Sequence, residues 1–253
     1  MAFAIKTDAL IIKAFNYKEA DQLLTVYSEK LGKITVLVRG ARKLKSHLRA
    51  GTILFSYSKL GLVKGKSFYI ATHAEAIETF MELRGDLATV ASASYLAELL
   101  DAFVPEGEPD DYIFGLLLRG LYGITQVDNW VLLRAIELKL LARQGFFPEL
   151  NKCAVCGMEL KREGFFSSEE GGIVCIYCLK EDESGYIQDG LFTIKGETRR
   201  LLQSLMEMEI TKIGRLRFSP GAKGETEAIL DDYLSLRSGR RFKSKKFLKQ
   251  FTD

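Results

Sequence analysis

All four cysteines of the chain fall in two C-x-x-C pairs, Cys153-Ala-Val-Cys156 and Cys175-Ile-Tyr-Cys178. The gap between the pairs lies in the usual window for a four-thiolate zinc site. Each pair fits a tight knuckle that aims two sulfurs at one centre. Gly157 follows the first pair and Gly171-Gly172 precede the second, which supplies the turns such a lobe needs. Four thiolates at tetrahedral corners suit Zn²⁺ and leave no open position for water, so the expected site is structural. Disulfides in one of three connectivities are the alternative. Thiols stay reduced in the cytosol, and the N-terminus reaches Lys6 and Asp8 too soon for a signal-peptide apolar region. A cytoplasmic location is therefore expected.

At 253 residues the chain has room for one large domain or two to three small ones. No apolar run is long enough to span a bilayer. The net charge of +3 does not by itself imply nucleic acid. Local charge is more informative. Arg39, Arg42, Lys43, Lys45 and Arg49 lie in one stretch with His47 and no acid, and a second basic run spans Arg237 to Lys249. Acids gather at Glu106 to Asp111 and Glu181 to Glu183. Segregated charge in a nearly neutral chain predicts charged faces.

Residues 5 to about 78 read as β. Leu10–Ile12, Leu23–Tyr27, Ile34–Val38, Ile53–Tyr57 and Phe68–Ala71 are short runs rich in β-branched and aromatic residues, punctuated by glycines and free of proline. Five strands in so short a stretch predict a closed barrel of the OB type, residues 1–79. An SH3-like barrel has a similar strand count. From 80 to 149 the period becomes helical, with Asp110 and Asp111 opening a second helix and Asp128 placed as N-cap of a third. Residues 150–184 form the zinc lobe, and 185–253 return to helix and end in a basic tail. Helices are expected over Phe192–Met208, with Thr193 near the N-cap, and over Glu225–Leu236. A terminal helix is expected to be anchored by Phe247 and Phe251, with its lysines in water. The fold class is thus α+β and multidomain: an N-terminal OB-fold barrel, a discontinuous helical domain and an inserted four-cysteine lobe.

There is no P-loop, no dinucleotide-binding glycine fingerprint and no nucleophile elbow. The two histidines, His47 and His73, have no nucleophile near them in sequence, and paired acids such as Asp231/Asp232 read as solvated helix faces. No catalytic constellation emerges. The acid-free loop Arg39–Arg49 carries the functional signal. It follows the third predicted strand, where the loops and strand faces of an OB barrel form a groove for single strands. Its cations would track phosphates, while Phe15, Tyr17, Phe55 and Tyr57 would stack on bases only if they face outward. Strand alternation is expected to bury several of these aromatics. An exposed basic loop without a ligand is the plainer alternative.

The ordered motifs resemble the RecO family of bacterial recombination mediators along the whole chain. They are Tyr17–Leu24, Glu29–Ile34, Val38-Arg39-Gly40-Ala41-Arg42, Tyr95–Leu99, Arg134–Leu141 leading into Gly145-Phe146, the cysteine lobe, and the tail Lys243–Phe251. The resemblance implies a non-enzymatic protein that binds single- and double-stranded DNA and anneals complementary strands. It also implies help in loading RecA, with RecR, onto DNA coated by single-stranded DNA-binding protein (SSB). Arg134 matches a position where the family contacts the acidic C-terminal tail of SSB. A helix-surface Arg in an ordinary ion pair is the alternative for that residue. Rival readings of the whole chain are an RNA-binding or transcription-associated zinc protein, a metal-dependent hydrolase, and an adaptor that binds no DNA.

Overall fold

The computed structural model describes residues 4–160, 164–181 and 190–252. The described chain divides into two compact units, one of residues 1–126 with 243–253 and the other of residues 127–242. The sequence boundary expected near residue 184, and Glu183 of the second acidic run, lie outside the described residues.

The first unit opens with β1 (Ile5–Tyr17), β2 (Asp21–Ser28), β3 (Gly32–Val38), β4 (Tyr57–Lys64) and β5 (Tyr69–Glu78). They close into a barrel in the order β1-β2-β3-β5-β4, with β4 returning to β1 and β3 parallel to β5. This is the OB-type closure, with its single parallel contact. Alternation supplies the core: Ala9, Ile11, Leu24, Val26, Val36, Val38, Leu60 and Leu62 point inward and are buried.

The expected strand at Ile53–Tyr57 is corrected. Residues 53–56 turn instead, with Phe55 at φ +66°, and β4 begins at Tyr57. Phe55 is buried rather than paired in a ladder, and its N–H donates to the Ile11 carbonyl at 2.8 Å. The cause lies just before it. Gly51 packs so closely on β5 that an added Cβ would sit 2.6 Å from the Ala74 carbonyl carbon, and the chain must turn out of that contact before it can enter β4.

Helices α1 (Leu87–Phe103) and α2 (Asp111–Gly123) complete this unit with α7 (Lys243–Thr252). Asp86 caps α1, accepting from the Thr89 N–H, and Asp110 caps α2, accepting from the N–H groups of Tyr112 and Ile113. Asp101 on α1 pairs with Lys13 of β1 at 2.7 Å and Lys33 of β3 at 3.5 Å, tying helix to barrel. The anchor of α7 differs from expectation. Phe247 and Phe251 do meet edge to face, with ring centres 4.9 Å apart, but both are exposed. The helix is held by buried Leu248 and by Glu98 of α1, whose carboxylate accepts from the N–H groups of Lys243 and Ser244. Lys243 and Lys246 are in water as expected, but Lys245 is buried, with its ammonium 5.4 Å from the centre of the Tyr95 ring.

The second unit holds α3 (Asn129–Arg143), β6 (Gly164–Ser167), β7 (Gly172–Val174), α4 (Ile176–Glu181), β8 (Leu191–Ile194), α5 (Gly196–Glu207) and α6 (Pro220–Ser238). Asp128 caps α3 through the N–H groups of Trp130 and Val131. Helices α5 and α6 both pack on α3. The helix expected from Phe192 starts late, because Leu191–Ile194 pairs with β6 as a strand. Thr193 is therefore a strand residue, and α5 follows Lys195. The β-branched and aromatic residues Phe192-Thr193-Ile194 favour that outcome. Among the described residues, no helix is long and apolar enough to cross a membrane.

Candidate nucleic-acid interface and metal centre

The loop after β3 is anchored at two points, where Ala41 and Leu48 insert into the barrel core. Between and beyond these anchors Arg39, Arg42, Lys43, Lys45 and Arg49 are all exposed, as is His47. Successive turns hold the backbone: the N–H groups of Lys43, Ser46, Arg49 and Thr52 donate to carbonyls three residues back. The β1–β2 turn braces the loop from the side. Asp21 accepts from the Gly40 N–H at 2.8 Å, and the Arg42 guanidinium donates to the Glu19 carbonyl at 2.9 Å. Gly40 sits at φ +65°, a conformation that a side chain strains. All five predicted phosphate-contacting residues thus lie on one braced, solvent-facing loop. The expectation for the aromatics divides. Phe55 is buried, whereas Phe15 and Tyr17 at the end of β1 are exposed, and Tyr17 carries the Lys18 ammonium 5.6 Å from its ring centre. Lys18 was not singled out from sequence; the hairpin that aligns β1 with β2 brings it to this end of the barrel.

The four cysteine sulfurs all lie within 4.8 Å of one another. Two of the separations, Cys153–Cys178 and Cys156–Cys175, are 3.8 and 3.9 Å. A disulfide needs about 2.05 Å, so these are thiols. Zinc–sulfur bonds of about 2.3 Å set tetrahedral sulfur–sulfur edges near 3.8 Å, so the donor set fits a tetrahedral four-thiolate ion. The first knuckle turns at Gly157, φ +73°, whose N–H donates to the Cys153 carbonyl at 2.9 Å. The Cys175 N–H donates to the Cys153 sulfur at 3.3 Å. Burial pushes the Cys153 thiol up, but N–H donors from Cys156, Cys175 and Val155 outweigh it and bring the group down to about 7. Burial and the neighbouring sulfurs push Cys178 up. Four thiols this close cannot all ionise without a cation among them.

Arg134 lies elsewhere. It is 3% exposed, on α3, with its guanidinium 2.6 Å from Glu137 and 3.3 Å from Asp231 of α6. Glu137 is fully buried beside it. His73 is an exposed residue of β5, 3.7 Å from Glu75, with no nucleophile in that contact.

Comparison with known families agrees with this arrangement. Residues 1–80 match the family model described as Recombination protein O N terminal, and residues 84–246 match Recombination protein O C terminal. The chain is 34% identical over 244 residues to a DNA repair protein RecO of Desulforamulus reducens, covering 96% of this chain and 93% of that one. It is 35% identical over 246 residues to a protein of the same name from Pelotomaculum thermopropionicum, covering 97% and 94%. A third, from Alkaliphilus metalliredigens, is 34% identical over 238 residues, covering 93% and 94%. With an OB-type barrel, a helical region and a four-cysteine lobe in the order these matches span, the chain belongs to the RecO family of DNA repair proteins.

Proposed function

We propose that this protein is a non-enzymatic mediator of DNA repair and homologous recombination. It binds single- and double-stranded DNA and anneals complementary strands. With RecR it promotes loading of RecA onto single strands coated by SSB, acting in the cytoplasm at the nucleoid. The observation that carries this reading is the braced loop of Arg39, Arg42, Lys43, Lys45 and Arg49, five exposed cations with no acid between them on a closed barrel. Annealing asks for no covalent chemistry. It asks for two strands held by contacts weak enough to let bases search for partners, and phosphate contacts from flexible cations meet that need.

The four thiolates hold one structural Zn²⁺, which fixes the lobe and takes no part in any reaction. The SSB tail is a partner in this reading, with Arg134 as its receptor. The Arg134 guanidinium is paired with Glu137 and with the more exposed Asp231, so a tail carboxylate would compete with Asp231 for it. Replacing Asp231 with Asn should therefore tighten tail-peptide binding several-fold in calorimetry. Unchanged affinity would remove Arg134 from the receptor.

The test of the whole reading is annealing of complementary oligonucleotides precoated with SSB. Acceleration without nucleotide, lost when Arg42, Lys43 and Lys45 are replaced by Ala, is expected. The same variant should lower the salt slope of single-strand binding by about 0.7 per lost phosphate contact. A variant that keeps both its affinity and its slope would take DNA off the loop and favour an adaptor role.

A further inference from the structure

The four sulfurs of the cysteine centre are not equally sheltered. Cys153 is 2% exposed and Cys175 7%, Cys178 is half-buried, and Cys156 is exposed. The local backbone accounts for the difference. Cys153 lies under its own knuckle, where its N–H donates to the Met158 carbonyl at 2.8 Å and its carbonyl accepts from the Gly157 N–H. Cys175 leaves β7 and packs with Val174 and Leu179. Cys156 sits on the outer turn, just before Gly157, and is not part of that apolar cluster. Facing solvent does not strengthen a sulfur's hold on a metal, but it makes Cys156 the sulfur that an oxidant in solution meets first.

The two knuckles also face each other sulfur to sulfur. Cys156 lies 3.9 Å from Cys175, and Cys153 lies 3.8 Å from Cys178. An exposed sulfur thus has a buried sulfur of the other knuckle against it, the arrangement of a reactive thiol beside a resolving one. Helices of the same unit clamp the lobe from outside. Arg199 of α5 donates to the Leu160 carbonyl at 3.0 Å, and Gln203 of α5 donates to the Asn151 side chain at 2.7 Å. Arg237 of α6 donates to the Ser168 carbonyl at 2.7 Å. All three acceptors belong to the lobe, so the clamp exists only while the lobe keeps its fold.

We propose that the lobe is a reversible peroxide-sensitive switch, in which Cys156 reduces the peroxide, Cys175 resolves it as a disulfide, and the clamp on α5 and α6 is let go. The resting state rests on the zinc reading above; the metal stays structural, and the sulfurs react. With hydrogen peroxide, the Cys156 sulfur attacks the O–O bond. An S–O bond forms, the O–O bond breaks, and the leaving hydroxide takes a proton to become water. The Cys175 thiolate then attacks the sulfenic sulfur. The S–S bond forms, the S–O bond breaks, and a second hydroxide leaves as water. Two electrons have passed from two sulfurs to one peroxide. Closing the pair from 3.9 Å to about 2.05 Å asks for movement of the Cys156 turn, which lies at the surface. The two remaining sulfurs are too few for a closed tetrahedral site, so the metal is released. Cys153 and Cys178 then consume a second peroxide in the same way. In sum, four thiolates, two peroxides and four protons give two disulfides and four waters.

The test needs no variant. Wild-type protein is titrated with hydrogen peroxide, blocked with iodoacetamide and mapped by peptide mass spectrometry, while a chromogenic chelator follows zinc. Below about one equivalent of peroxide, Cys156–Cys175 should be the leading disulfide. At about two equivalents both disulfides should be present, with about one Zn released per chain. Hydrogen-exchange protection over residues 151–160 and 164–181 should be lost together, and dithiothreitol with added zinc should restore it. Disulfides within the knuckles, Cys153–Cys156 or Cys175–Cys178, would overturn the proposal. So would sulfinic or sulfonic acid at Cys156 in place of a disulfide, thiols and zinc that survive excess peroxide, or protection that the reductant does not restore. If the purified protein carries no zinc, the zinc reading fails by itself, and the disulfide map still decides the switch.

Discussion

In the barrel each strand has a hydrogen-bonded neighbour on both sides, and Ala9, Ile11, Leu24, Val26, Val36 and Leu60 fill the interior. In the cysteine lobe, strands of three or four residues surround a small buried cluster of Val174, Leu179, Cys153 and Cys175. Half of that cluster is cysteine. The barrel's apolar burial, at about 25 cal/mol per Å², is its own source of stability. The lobe's own buried cluster is small, and its four sulfurs would repel one another once ionised. One region is a folding unit that presents a surface. The other is a four-thiol cluster that could hold a metal ion, with a short stretch of chain wrapped around it.

The largest effect that would break this contrast is metal removal. Structural zinc contributes about 10–16 kcal/mol in small domains, so chelation, or Cys175→Ser, should abolish hydrogen-exchange protection across residues 164–181. Protection in β1–β5 should stay as before. Metal analysis of protein purified without added zinc should find about one Zn per chain. A lobe that stays protected without metal would show its apolar cluster to be sufficient after all.

A smaller effect asks whether the helices of the second unit stand without the metal. Glu137 is buried against Arg134, and removing one member of a buried pair strands the other at a cost of about 3–5 kcal/mol. Glu137→Ala should lower the melting of α3, α5 and α6, followed by exchange, while the thiols still bind zinc. Loss of zinc affinity in that variant would couple helices and lobe more tightly than their packing implies.

What was legible in the sequence follows the same division. The cysteine cluster could be read directly, because metal geometry forces C-x-x-C spacing and little else produces it. The barrel could be read as a set of strands, and the basic loop as a charge run, since alternation and charge are local properties. The failures came where tertiary packing overrode local pattern. Ile53-Leu54-Phe55 has strand composition, but Gly51 against Ala74 forces a turn there. At Phe192-Thr193-Ile194 two local patterns compete, a helical period and strand composition, and pairing with β6 decides for the strand.

Overpacking tests the barrel's self-sufficiency. Gly51→Ala would place a methyl group 2.6 Å from the Ala74 carbonyl carbon, and forcing it in should cost about 1–3 kcal/mol. The loss should appear in barrel melting equally with and without zinc. A zinc-dependent loss would mean that the two regions do not fold independently.

The smallest effect is electrostatic and separates the regions by pH. The Tyr57 hydroxyl donates to Asp8 at 2.8 Å, and burial, then that bond and the nearby Asp8 charge, push it up to about 12. The folded barrel therefore holds this proton more tightly than the unfolded chain does. The contribution is complete below the ordinary tyrosine value near 10, and it is lost as pH rises through that value toward the folded one. Tyr57→Phe should cost about 1 kcal/mol at neutral pH, one hydrogen bond, and this cost should shrink toward zero as the wild-type hydroxyl ionises. The difference between wild type and variant, measured by barrel melting from neutral to alkaline pH, isolates this group from the other tyrosines and lysines. A constant difference would mean that the Asp8 bond contributes packing and no proton linkage. The thiolate centre depends on pH in the opposite sense, because protons compete with the metal for sulfur. Acid should therefore release the lobe first, while alkali should weaken the barrel at Tyr57.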